Sequence, residues 1–475
     1  MNRQNKYQTL LGNTLIISLG TLSSKLLTFL MVRFYTGVLS PSDYGTADLI
    51  MQTASLLVPL VSMGITDGVF RFALARPERR KSVFSAGFYT VTAGTLVLLM
   101  LSPLLRNVAA FSEYATLIVF YTAASCYHSL CAGFIRARGK TALYAGQGVL
   151  NTAFVIGFNI LFLAVFQMGA CGYVMSVALA DTLCTIFLIC KEKLWRQLVL
   201  RPGKRIFSRM LKYSIPLIPT TVFWWITSVS DRYMITAFLG SDANGIYTVA
   251  CKLPTMLTLL ASVFLEAWKF SAVSESRENR RTYIRFYSQI WSSFSGFMTL
   301  AGSIVIACSH IGIRLLSTEE YFPAWQYVPV LSAATVFASF VTFMGSVYMV
   351  MGKSGQSFLT AMVGALVNLL LNAVLIPVFG MQGAAVATLA SYFVSFVLRA
   401  VSARRLIPFR LYTGRLFADL LVLSVQTVFS VCELPMQSVV QGICILFLTA
   451  LNVKPIAAAF RKIEQMRKEK RLENR

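Results

Sequence analysis

Hydrophobic stretches of roughly 20 residues, separated by short polar segments, recur along the whole chain. A helix of that length crosses the hydrocarbon core of a bilayer and satisfies its own backbone hydrogen bonds there. The pattern therefore predicts an all-α integral membrane protein with about 14 transmembrane helices. The predicted spans are 11–38, 47–70, 84–105, 114–135, 143–166, 170–190, 213–239, 244–267, 287–308, 327–350, 357–379, 383–400, 416–432 and 436–453.

The polar segments carry an alternating charge pattern. Most of the 43 Lys and Arg residues fall in every second segment, counted from a cytoplasmic N-terminus. This asymmetry is the positive-inside signal, and it predicts that both termini are cytoplasmic. The net charge of +24 is thus a topology signal, and binding of nucleic acid is not expected because no basic polar domain is present.

The longest inner segment divides the chain into two sets of six spans. The second set is followed by a helix pair, for which a re-entrant hairpin is the alternative. The expected organisation is an N-terminal lobe at 1–190 (helices 1–6), a basic cytoplasmic linker at 191–212, a C-terminal lobe at 213–402 (helices 7–12), helices 13–14 at 403–453 and a basic cytoplasmic tail at 454–475.

The two lobes show signs of an internal repeat. Gly45 in TGVLSPSDYG aligns with Gly245 in TAFLGSDANG at an offset of 200, and Asn159 aligns with Asn372 at an offset of 213. Lobes of six spans each have the same orientation, so they would be pseudo-symmetric about an axis along the membrane normal, as in many transporters. Chance similarity between glycine-rich turns is the alternative explanation.

Two segments carry a resemblance to a known family. The run GNTLIISLGTLSSKLLTFLMVRFYTGVLSPSDYGTADLI, with its L-S-P-x-x-Y-G turn, resembles Wzx-type oligosaccharide flippases. These form the polysaccharide transporter branch of the multidrug/oligosaccharidyl-lipid/polysaccharide exporter superfamily. The run SDRYMITAFLGSDANGIYTVACKLPT is similar to the D-R-Y-x-I…G-I-Y…K-L region of the same family.

The resemblance implies a function. It implies a flippase, not an enzyme, that moves a polyprenyl-diphosphate-linked oligosaccharide from the inner to the outer leaflet of a bacterial plasma membrane by alternating access. The product would be capsule, O-antigen or exopolysaccharide. Expected partners are the lipid-linked substrate, membrane lipid and a polysaccharide polymerase or glycosyltransferases, and no cofactor is implied.

Four basic residues fall well inside predicted spans, away from the inner loops. Lys25 lies near the middle of span 1 and Arg33 two turns outward, while Arg232 and Lys252 lie in the outer parts of spans 7 and 8. Charges at membrane depth are costly and mark sites by default, and cations suit a diphosphate. These four are the predicted substrate contacts. The alternative is that Arg33 and Arg232 extend to the interface or form structural salt bridges with neighbouring acids.

Four acidic residues are candidates for ion pairing or ion coupling: Asp67, Asp181, Asp231 and Glu266. Asp67, Asp181 and Glu266 are expected near the inner ends of their spans, where pairing with arginines such as Arg71 is favoured. The two histidines, His128 and His310, do not have metal-ligand spacing, and the nine cysteines do not have it either. The sequence therefore predicts no metal site. Most tryptophans and tyrosines at span ends are expected to be interfacial anchors.

Three other functions stay open at this stage. A lipid II or sporulation-type flippase differs only in its glycan. A multidrug exporter of the same superfamily is disfavoured because span 1 carries Lys25 and Arg33, which repel cationic drugs. A membrane scaffold that recruits glycosyltransferases would not need cations within the membrane.

Overall fold

The computed structural model describes residues 24–107, 112–275 and 280–473, and the regular secondary structure in these ranges is helical. The chain divides into two compact units. Of the described residues, the first unit takes in those up to Trp225 together with Leu239–Gly245, and the second takes in Ile226–Phe238 and those from Ile246 onward.

The helices of the first unit follow one another with short connections. They are a helical segment at 24–30, α1 (Val32–Val38), α2 (Pro41–Val61), α3 (Ile65–Ala75), α4 (Arg80–Arg106), α5 (Ala115–Ala137), α6 (Thr141–Asn159), α7 (Gly169–Glu192) and α8 (Lys204–Ser214). A π-helical turn at Ile160–Val165 extends α6.

Two helices contribute residues to both units, and the remaining helices belong to the second. The shared helices are α9 (Ile218–Leu239) and α10 (Ser241–Ala250). The others are α11 (Lys252–Glu275), α12 (Arg280–Ala307), α13 (Ser309–Leu316), α14 (Val328–Met351), α15 (Ser354–Leu406), α16 (Thr413–Val431) and α17 (Gln437–Glu473).

These helices confirm the predicted all-α membrane fold. In the described ranges, nine helices are long and apolar enough to cross a membrane, or eleven if each of two bent pairs is one span. The bent pairs are α2 with α3, at 53°, and α10 with the first part of α11, at 42°. The 53-residue α15 covers two predicted spans, since at 1.5 Å per residue it would reach about 80 Å, far beyond a bilayer.

Local chemistry explains where these helices begin and break. Ser40 caps α2: its hydroxyl accepts from the backbone N–H of Asp43 at 3.1 Å, and Pro41 occupies the first helical position. Gly64 has φ +61° at the bend between α2 and α3. Gly380 interrupts α15 with φ +60° and ψ −142°, a backbone conformation that favours glycine.

Each unit has its own buried core. In the first, apolar side chains of α3, α4 and α5 pack together around Ile65, Phe84 and Phe134. The core of the second is aromatic: Trp268 stacks on Phe343 with ring centroids 5.2 Å apart. Packing of this kind holds the polar groups of each unit in fixed positions.

The prediction that most of the aromatic residues are interfacial anchors is wrong. Several of them are buried inside the units: Tyr35, Tyr44, Trp268, Trp291 and Tyr321. Tyr35 packs edge to face against Tyr173, and the indole N–H of Trp268 donates to Ser346 at 2.9 Å. A buried Trp or Tyr satisfies its polar atom inside the protein instead of at the membrane surface.

Candidate functional site

The two cations of the first span lie on its accessible surface. Lys25, on the segment 24–30, and Arg33, on α1, are both exposed. They are eight residues apart, or about 12 Å along a helix. An apolar helix therefore presents two accessible positive charges.

The two cations of the second half lie on α9 and α11. Arg232, near the middle of α9, is half-buried, and its backbone N–H donates to the Asp231 carboxylate at 2.9 Å. Lys252 is the first residue of α11, directly after the bend that follows α10, and is also half-buried. That these four residues contact one substrate remains a prediction.

Asp231 is the centre of a buried polar network in the second unit. Its carboxylate accepts from the Tyr247 hydroxyl at 2.8 Å and from the Thr388 hydroxyl at 3.4 Å. Asn368 continues the network, because its side-chain oxygen accepts from Ser230 at 2.8 Å and from Asn372 at 3.0 Å. The repeat-related Asn159 instead donates to the Tyr35 hydroxyl, at 3.1 Å.

The other acidic candidates differ in their surroundings. Asp67 is exposed in the first turn of α3, and no ion pair joins it to Arg71 within the described residues. The guanidinium of Arg71 lies over the ring of Tyr213 instead, 4.2 Å from its centroid. Glu266 is on α11, but its side chain is outside the part that the structure describes.

Asp181 pairs with a histidine and not with an arginine. Its carboxylate lies 3.1 Å from the Nδ1 atom of His128. Both residues lie near the middle of their helices, so the expectation that Asp181 approaches an inner helix end is wrong. The interaction crosses from α5 to α7, and sequence spacing did not indicate it because the partners are 53 residues apart.

Two further arginines were not predicted as internal polar groups, the buried Arg399 and the half-buried Arg415. Arg399 on α15 is 3% exposed and donates to the Val341 carbonyl at 2.9 Å and to the Thr360 hydroxyl at 3.0 Å. Arg415 on α16 donates to the Ser292 hydroxyl at 2.7 Å. The positive-inside pattern does not distinguish a loop arginine from one that joins helices.

No group of three or more His, Cys, Asp or Glu side chains that could hold a metal ion occurs among the described residues. Among the described residues, the charged groups on these helices include the accessible Lys25 and Arg33, the Asp231 carboxylate in a hydroxyl and amide network, and the His128–Asp181 pair. Such groups can bind an anion or exchange protons.

Comparison with solved structures identifies the class of fold. Lipid II flippase MurJ, in an inward closed conformation, matches with a TM-score of 0.70 at 15% identity, covering 94% of this chain and 99% of that one. The Vibrio cholerae MATE transporter VcmN matches with a TM-score of 0.60 at 14% identity, over 84% and 97% of the two chains. The fold is that of a multi-pass membrane transporter.

The family follows from the sequence comparison. The model of the polysaccharide biosynthesis protein family matches residues 10–269, more than half of the chain. The chain belongs to this family, which confirms the expected membership of the polysaccharide transporter branch of the exporter superfamily.

Curated relatives are consistent with membership of this family. An uncharacterized membrane protein of Methanocaldococcus jannaschii is 21% identical over 421 residues, which is 84% of this chain and 99% of that protein. A probable low-salt glycan biosynthesis flippase of Haloferax volcanii is 27% identical over 209 residues, 42% of this chain and 43% of the flippase.

Proposed function

We propose that this protein flips a polyprenyl-diphosphate-linked oligosaccharide from the inner to the outer leaflet of the cell membrane, for assembly of a surface polysaccharide. Family membership and the likeness to a glycan biosynthesis flippase support the lipid-linked saccharide as the cargo class. The observation that carries the proposal is the exposed position of Lys25 and Arg33 on the first hydrophobic helix.

The physical argument starts from the cost of charge in hydrocarbon. An exposed Lys or Arg at membrane depth is stable only beside water or an anion, so the surface that carries Lys25 faces a hydrated passage. A diphosphate needs positive charge as it enters such a passage, because its desolvation is costly. A neutral or cationic cargo has no use for these side chains.

Arg232 and Lys252 are proposed as further contacts to the diphosphate. The Asp231 carboxylate beside Arg232 accepts hydrogen bonds from the Tyr247 and Thr388 hydroxyls. Arginine suits phosphate because its planar guanidinium donates two parallel hydrogen bonds. The proposed mechanism is alternating access, in which the head group crosses through the passage while the prenyl chain stays in lipid. Both termini are proposed to be cytoplasmic.

The experiment is complementation of a strain that lacks its own lipid-linked oligosaccharide flippase. Lys25→Ala and Arg232→Ala are compared with wild type at matched membrane abundance. Arg106→Ala is the matched control, because Arg106 is an exposed arginine at the end of α4 that is not assigned to the substrate. Wild type and the control are expected to restore surface glycan, and the two site variants to lose at least about tenfold, as expected when a hydrogen-bonded charge pair is removed.

Equal activity of all four proteins would contradict the cationic site and favour a scaffold that recruits glycosyltransferases. Lipid II is the second candidate for the cargo, since 94% of this chain matches the fold of the lipid II flippase MurJ. Export of a cationic dye that improves when Lys25 is neutralised would instead support a multidrug exporter.

A further inference from the structure

A pair of ionisable side chains that the proposed substrate contacts do not involve lies in the middle of the first unit. His128 on α5 and Asp181 on α7 face each other, with Nδ1 and Oδ1 3.1 Å apart. Their side chains are 18% and 11% exposed, so the pair is mostly but not fully buried. Ionisable residues at the middle of spanning helices are costly and generally functional.

Both members of the pair make further hydrogen bonds. Both carboxylate oxygens of Asp181 accept hydrogen bonds, from the Ser125 hydroxyl at 2.6 Å and from the Asn151 amide at 2.9 Å, as an ionised carboxylate does. On the far side of the imidazole, Nε2 of His128 lies 2.7 Å from the side-chain oxygen of Gln147. Acceptors at both ring nitrogens suit an imidazolium, whereas a neutral ring has a single N–H and fits once the Gln147 amide turns its NH2 toward Nε2.

The pair also connects three helices. Gln147 and Asn151 both belong to α6. The contact between His128 and Gln147 joins α5 to α6, and the hydrogen bond from Asn151 to Asp181 joins α6 to α7. The other titratable groups that face Asp181 are Tyr121 on α5 and Cys184 on α7. A phenol and a thiol ordinarily titrate at about 10 and about 8.5, above the range of histidine. Histidine is therefore the group that changes charge near neutral pH.

We propose that His128 and Asp181 form a proton-binding site whose occupancy is coupled to lipid translocation. The inference rests on the proposed function, to which it adds the coupling ion. When the proton leaves, neutral His128 can donate to only one of its two acceptors, and the Asp181 carboxylate keeps a negative charge at membrane depth. Contacts among α5, α6 and α7 must then rearrange, for example by rotation of the Gln147 amide. The proton leaves to water on one side and is replaced from the other, and no covalent bond forms.

The test uses purified full-length protein in proteoliposomes, with a polyprenyl diphosphate that carries a fluorescent N-acetylglucosamine as the probe. A membrane-impermeant quencher measures the fraction of probe in the outer leaflet, with and without a pH gradient. If one proton moves per lipid, a gradient of one pH unit shifts the leaflet ratio up to about tenfold. His128→Gln and Asp181→Asn are expected to equilibrate the probe but to lose this shift.

His310→Gln is the matched control, because His310 is the second of the two histidines and packs against the rings of Phe322 and Trp325. It is expected to keep the wild-type shift. Site variants that respond to the gradient as wild type does would overturn the proton site. Wild type that equilibrates the probe and ignores the gradient would also overturn it, while leaving the proposed function intact.

A second measurement decides the site even if no lipid moves and the proposed function fails. Histidine labelled with ¹⁵N gives two ring systems in detergent micelles, and His128→Gln assigns them. A His128 signal that titrates between about pH 5 and 8 and shifts in Asp181→Asn supports the proton site. A signal that does not titrate in that range, or that ignores the Asp181 substitution, overturns it.

Discussion

Gly45 and Gly245, the two glycines aligned by the internal repeat, pack backbone against backbone in the first turns of α2 and α10. A Cβ atom on Gly45 would lie 2.1 Å from the Ser241 carbonyl oxygen and 2.8 Å from the Gly245 nitrogen. A Cβ atom on Gly245 would lie 2.0 Å from the Pro41 carbonyl oxygen. The side-chain amide of Asn244 donates to the Gly45 carbonyl at 2.9 Å and adds a hydrogen bond where α2 and α10 cross.

Gly45→Ala is therefore expected to destabilise the protein by at least about 1–3 kcal/mol, because the obstructing atoms are backbone and cannot rotate away. Thermal unfolding in detergent measures the effect as a lower Tm. Gly146→Ala on α6 is the control, since an added Cβ meets nothing within 4 Å there. The control should be neutral or slightly stabilising, as alanine is the better helix former. Equal Tm values for the two variants would contradict the crossing.

The break at Gly380 divides the long α15 into two helices that can each cross the membrane. With φ +60° and ψ −142°, this residue has a backbone conformation that costs a residue with a Cβ of order 1–3 kcal/mol. Gly380→Ala is expected to lower the Tm. Gly355→Ala, at a position with open space and no positive φ, is expected to leave it unchanged. An unchanged Tm for both variants would show that the break tolerates a side chain.

Arg399 is expected to be a structural residue of the second unit. Arg399→Leu removes the donors to the Val341 carbonyl and the Thr360 hydroxyl, and charge-assisted hydrogen bonds contribute about 1.5–3 kcal/mol each. The Tm of this variant should fall clearly, and Arg399→Lys should not restore it because an ammonium lacks the guanidinium geometry. Arg405→Leu is the control, at an exposed position near the end of the same helix, with an expected change within about 0.5 kcal/mol. Equal losses for Arg399→Leu and Arg405→Leu would contradict the structural role.

The predicted topology can be checked with two native cysteines. Cys190 near the end of α7 and Cys308 between α12 and α13 are both exposed, and the positive-inside pattern places them on opposite sides of the membrane. In single-cysteine variants of intact cells, an impermeant maleimide should label Cys308 and spare Cys190 until the cells are opened. Labelling of Cys190 alone in intact cells would invert the topology.

The spans could be predicted from sequence because each rests on local hydropathy. The predicted spans 357–379 and 383–400 correspond to the two halves of α15, separated at Gly380. The part of span 1 before residue 24 lies outside the described residues. Bends such as that at Gly64 were missed, because apolarity continues across them while the helix direction changes.

Side-chain partners could not be predicted in the same way. His128 was not predicted to belong to a site, because it lacks metal-ligand spacing, and Asp181 was expected to pair with an arginine. Both predictions failed to find the partner because neither spacing nor composition reveals which helices are neighbours. The buried positions of Trp268 and Trp291 were missed for the same reason, because span-end aromatics are equally compatible with an interface and with a core. The cations Lys25 and Arg33 were visible because a charge in an apolar run stands out without knowledge of the fold.

The most direct measurement of the central claim is transbilayer movement of two probes by purified protein in proteoliposomes. One probe is the polyprenyl diphosphate carrying fluorescent N-acetylglucosamine, and the other is the same sugar on an uncharged polyprenol. Wild type is expected to equilibrate the diphosphate probe, while Lys25→Ala slows it and Arg106→Ala does not. Equal rates for the charged and uncharged probes, or no movement of the diphosphate probe above empty liposomes, would contradict a flippase that recognises the diphosphate.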